Sequence, residues 1–110
     1  MFEGKRIKFD DIRKNMGNIL SCPHCGGACL HLGKVKIFDR EDDAEFTQVT
    51  TANKGQTKVE LISSDICGNP SARSDGLIID FWCQKCNAQS ELAIAFHKAM
   101  TKFEWREDKQ

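Results

Sequence analysis

Along most of the chain apolar and polar residues alternate with the period of two that marks β-strands with one face on a core. Ala28 to Phe38 reads as a strand: Leu30 and Leu32 fall on one face, Val35 and Ile37 on the other. The phase changes at Gly33, where a β-bulge accounts for the slip. Phe46 to Thr51 is rich in β-branched residues, Asn53-Lys54-Gly55-Gln56 is a turn sequence, and Thr57, Val59 and Leu61 alternate behind it, which together predict a hairpin. Ser63 to Gly76 collects Gly68, Asn69, Pro70 and the Ser74-Asp75-Gly76 turn and reads as a loop. Leu77 to Trp82 follows as a strand, with Leu77, Ile79 and Phe81 on one face and Ile78, Asp80 and Trp82 on the other.

Two segments depart from this period. Residues 5–20 predict a short N-terminal helix, capped by Asp10 or Asp11, with Ile12, Met16, Ile19 and Leu20 at helical spacing. Its apolar stripe has to dock, on this chain's own sheet or on a partner. In the tail, Leu92, Ala95, Phe96, Ala99, Met100 and Phe103 fit a helix, while Leu92, Ile94 and Phe96, then Phe103 and Trp105, fit two strands with a turn near Lys98 to Thr101. The Cys83–Cys86 turn just before favours strands, because such a turn feeds a strand that pairs back along the one preceding it. The fold class predicted is mainly β: one domain over 1–110, with a helical arm at 1–20 and an insertion at 39–76.

Six cysteines change the picture from an ordinary small β domain to one built on a metal. Cys22-Pro23-His24-Cys25 and Cys83-Gln84-Lys85-Cys86 have the same C-x2-C spacing, and each is followed by a residue type that tolerates positive φ, Gly26 and Asn87. Two such turns facing each other supply four thiolates to one tetrahedral Zn²⁺. Four protein ligands leave no open position, so the zinc is structural and the site residues are Cys22, Cys25, Cys83 and Cys86. Iron suits a similar cage, but availability favours zinc. A disulfide framework needs an oxidising context, for which the N-terminal residues give no signal sequence. A thioredoxin-type redox pair needs an α/β setting that this pattern lacks. Cys29 and Cys67 are left over as small packing residues; alternatively one of them replaces a ligand, or they form a second site with His24, His31 or His97.

Both cysteine turns stand at strand ends, and in this the chain resembles a zinc ribbon of the rubredoxin-like kind. The stretch from Cys22 to Trp105, including Gly76-Leu-Ile-Ile-Asp-Phe-Trp-Cys83, His97-Lys98 and Phe103-Glu-Trp105, is similar to small uncharacterised zinc-ribbon proteins of bacteria and their phages. The departure is the long separation between the turns, which an inserted hairpin and loop would occupy. The resemblance implies a fold and a metal, and no activity.

Charge and length then narrow the function. With 16 basic and 16 acidic residues among 110, the chain lacks the basic excess of most nucleic-acid binders, and four thiolates with one Zn²⁺ would add about two negative charges. Phosphate contacts would have to be local, at Lys34 and Lys36, at Lys98, Lys102 and Arg106, or at Lys5, Arg6 and Lys8. Phe81, Trp82, Phe96, Phe103 and Trp105 could stack bases if exposed, although core packing is their commoner use. No apolar run is long enough to cross a membrane, and a cytoplasmic protein is expected. A phosphate-binding glycine loop, a His-Glu-x-x-His helix and a serine nucleophile turn are all missing, so the chain is not expected to be an enzyme. The expectation is a zinc-stabilised adaptor for a protein or a nucleic acid. The alternatives are an accessory factor to a nucleic-acid enzyme using Glu41, Asp42, Asp43 and Glu45, placed similarly to the acidic residues of transcript-cleavage elongation factors, or a structural subunit of a phage or homo-oligomer.

Overall fold

The alternating segments pair into one antiparallel sheet of six strands: β1 (Leu30–Asp39), β2 (Phe46–Asn53), β3 (Gln56–Ser63), β4 (Gly76–Cys83), β5 (Gln89–His97) and β6 (Met100–Arg106), in the spatial order β3-β2-β1-β4-β5-β6. The computed structural model describes residues 18–97 and 99–106. The helix expected over 5–20 therefore lies outside the described residues, except for Asn18, Ile19 and Leu20, which carry no regular structure. The tail takes the strand alternative, with His97 opposite Met100 across the turn between β5 and β6.

The local causes are visible at the turns and the bulge. Lys54 and Gly55 both have positive φ, 47° and 84°, the backbone of the two-residue turn whose twist matches a hairpin. On β1 the register with β4 shifts between Leu32 and Val35, so the chain bulges at Gly33, whose α-carbon lies so close to Asp80 that an added Cβ would stand 3.3 Å from its carbonyl oxygen. The bulge does more than mark a change of phase: it returns Val35 and Ile37, opposite Ile79 and Leu77, to the face that carries Leu30 and Leu32.

The core lies on the other face. Phe38, Val49, Ile78 and Ala93 project there, and Cys67 from the 64–75 loop closes over them with Ile62 alongside. Three devices hold that loop down. Gly76 admits it, since a Cβ at Gly76 would collide with Asn69 Oδ1 and stand 2.9 Å from Pro70 Cδ. Ser71 Oγ and Ser74 Oγ donate to the Phe96 carbonyl at 3.1 and 2.6 Å. Arg40 reaches across to donate to the carbonyls of Ala44 and Ala72, both at 2.9 Å. Buried Thr47 is satisfied through Ser64 Oγ at 2.8 Å, which itself donates to the Ala44 carbonyl. Among the described residues this core is small, and burial of so few side chains leaves little margin over chain entropy.

Candidate metal centre

The two cysteine turns are built alike, from backbone hydrogen bonds that their sequences permit. In the first, Gly26 N–H donates to the Cys22 carbonyl at 2.9 Å and Cys22 N–H to the Gly27 carbonyl at 2.8 Å, with Gly26 at φ 77°. In the second, Asn87 N–H donates to the Cys83 carbonyl at 2.8 Å and Cys83 N–H to the Ala88 carbonyl at 3.0 Å, with Asn87 at φ 63°. The positive φ expected after each second cysteine is present in both. One turn leads into β1, the other joins β4 to β5, and a bond from Gln84 N–H to the Cys29 carbonyl at 3.0 Å ties them together.

This arrangement brings the Sγ atoms of Cys22, Cys25, Cys83 and Cys86 within 4.8 Å of one another. Cys22 and Cys86 are 3.8 Å apart at sulfur, Cys25 and Cys83 3.7 Å. A tetrahedron with metal–sulfur arms of 2.3 Å has edges of about 3.8 Å, so the spacing is that of a metal-binding cage and far too long for disulfides. Cys22 and Cys83 are buried and Cys25 and Cys86 exposed, which places the centre at the surface end of the sheet.

The electrostatics of the four thiols is uneven. Cys83 is drawn down to about 7 by the backbone N–H of Cys86, against the effect of burial and with help from Lys85 N–H and the Cys25 thiol. Cys22 is also lowered: burial acts against it, but the N–H groups of Cys25 and His24 and the Cys86 thiol outweigh burial. Cys86 is pulled down by the N–H of Ala88, yet burial and the three surrounding sulfurs push it up to about 11. Four sulfurs this close cannot all carry a negative charge without a cation among them, and N–H donors already aimed at sulfur prepare the thiolate form. The donor set fits a divalent metal that takes soft ligands.

The remaining candidates stand elsewhere. Cys67 is buried in the core, while Cys29 is exposed rather than half-packed. His31 stacks on Trp82, ring centroids 4.6 Å apart, and its Nε2–H donates to Gln84 Oε1 at 2.7 Å. Among the described residues the four cysteines form the cluster with metal-binding geometry, and neither leftover cysteine joins a histidine in a second one. Asp43 of the acidic stretch is engaged: Arg73 clamps its carboxylate through two bonds, at 2.9 and 2.6 Å. The sequence reading missed Arg40 and Arg73, for which the only signal was a lone arginine within the acidic stretch and another within the breaker-rich loop. Of the aromatic residues expected in the core, Trp82, Phe96 and Phe103 are exposed. No described helix is long and apolar enough to cross a membrane. Comparison with protein-family models, with curated proteins and with solved structures finds no match to this chain.

Proposed function

We propose that the chain is a zinc-ribbon interaction module, in which Cys22, Cys25, Cys83 and Cys86 hold one structural Zn²⁺ and the sheet presents a surface to a protein partner. The observation that carries it is the tetrahedral spacing of the four sulfurs on two matched turns. The strand order supports the ribbon reading: β1, β4 and β5, the strands next to the cysteine turns, are adjacent, with the β2-β3 hairpin added at one edge and β6 at the other. A closed four-thiolate site provides rigidity and no metal-bound water, which favours binding over catalysis.

A protein partner is favoured over nucleic acid by the distribution of charge. Basic side chains on the strands are interleaved with acids, as in the Lys58–Glu60 and Arg106–Glu91 pairs at 3.4 and 3.7 Å, and form no continuous track for a phosphate backbone. The acidic-loop alternative is disfavoured because Asp43 is spent on Arg73.

Loading with Co²⁺ in place of Zn²⁺ tests the reading. Wild-type protein is expected to bind one Co²⁺ with the intense visible absorption of a tetrahedral thiolate site, and Cys86→Ser to weaken binding and change the spectrum. It should show no affinity for single- or double-stranded oligonucleotides at physiological salt. An octahedral spectrum, or Cys86→Ser indistinguishable from wild type, refutes the metal assignment.

A further inference from the structure

The register of the sheet separates the side chains into two unlike faces. One carries the small core under the 64–75 loop, together with the charged strand residues, among them Lys36, Lys58, Glu60, Asp80, Glu91 and Arg106. The other holds Leu32, Ile37, Val59, Leu61, Phe96 and Phe103, all exposed, at 66, 46, 59, 71, 37 and 64%. Between them Leu30, Val35, Ile79, Leu92, Ile94 and Trp105 are only half-buried. Outside the bulge, Asp39 at the end of β1 is the one charged strand residue on this side.

An apolar face of this breadth exposed to water marks an interface. Six strands at about 4.8 Å spacing and some 25 Å long give it a footprint on the order of 600 Å². We infer that this face packs against the same face of a second copy of the chain, forming a two-sheet sandwich.

Two observations select that occupant. The first is area: two such footprints clear the roughly 1,000 Å² that a stable interface requires. A single helix about 10 Å wide, such as the sequence predicts for residues 5–20, would cover less than half of the face. The second is charge. In a twofold contact a surface meets itself, so any charge near the axis meets its like; a face whose charged groups stand at its strand ends, Asp39 at one and the Cys83 thiolate at the other, avoids that penalty. Apolar faces of twisted sheets pack in this way at about 10 Å separation with strands some 30° apart.

The inference rests on the interaction-module reading, and the test separates the two. Zinc-loaded full-length protein is examined by sedimentation equilibrium across the micromolar range, with bound zinc measured on the same sample. A mass twice the 12.4 kDa of one chain is expected. Leu32→Glu and Phe103→Glu, at positions the single sheet leaves open, should each yield a monomer that keeps its zinc and its strand circular dichroism. Glu60→Lys, on the opposite face, should remain a dimer. A zinc-bound wild-type monomer, with residues 1–20 or nothing on the face, overturns the dimer and leaves the metal centre standing. A dimer that persists in both glutamate variants overturns the choice of face. A chain without zinc counts against the metal reading instead, and the dimer then stands or falls on the two variants alone.

Discussion

Asp43 and Arg73 show how single side chains hold the cover of the core. Asp43 sits at φ 60° in a short turn, its N–H donates to the Arg73 carbonyl at 2.8 Å, and its carboxylate takes both guanidinium bonds. The guanidinium beside it holds its carboxyl below the usual carboxylate value. A depressed folded-state pKa contributes stability that is present above the unfolded value of about 3.9 and is lost as pH falls through the lower folded value. Asp43→Asn is therefore expected to lower the urea midpoint at neutral pH, with the gap from wild type closing as the pH is taken below about 4. A gap that is unchanged at acid pH would mean that the loss comes from the turn backbone and not from the ion pair. The acidic stretch was legible as exposed, but its partner was not, because Arg73 is 30 positions away and nothing local connects the two.

At the scale of elements the sequence was most readable where one period ran unbroken. Both hairpin strands, the 64–75 loop, β4 and the bulge at Gly33 follow from alternation and turn residues. What alternation leaves open is which face the loop covers. Val35 and Ile37 look like core residues and lie on the uncovered side, whereas Phe38 beside them is fully buried, because Gly76 and Ala93 let the loop settle on that side alone. The tail was ambiguous because its apolar residues satisfy both periods, and pairing with β4 resolved it in favour of strands. The hairpin turn offers a clean test. Lys54 holds a left-handed conformation at φ 47°, which costs a side-chain-bearing residue about 1 kcal/mol and asparagine less. Lys54→Asn should raise stability by roughly 0.5 kcal/mol in chemical denaturation. A loss of similar size would show that the lysine side chain contributes something its geometry does not reveal.

For the whole molecule the decisive feature is the imbalance between a small buried core and a six-stranded sheet. Phe38, Val49, Cys67, Ile78 and Ala93 form the buried apolar cluster among the described residues, with one broad apolar face left open. Structural zinc in zinc-finger peptides is worth about 10 to 16 kcal/mol at neutral pH, as much as the entire stability of a typical domain. The four-cysteine site was the most legible part of the sequence, because C-x2-C turns are local and self-contained. Their approach across more than fifty residues depends on β1 pairing with β4, which the strand pattern only implied. The same pairing ties the four-cysteine site to the sheet: loss of a metal held there should release β1 from β4 and with them the core. The most direct measurement is metal content per chain during titration with a chelator, with circular dichroism following the strands. One zinc per chain is expected, with the strand signal lost as zinc is removed and already weakened in Cys83→Ser. A chain purified without metal, or a sheet that survives full chelation unchanged, would contradict the account.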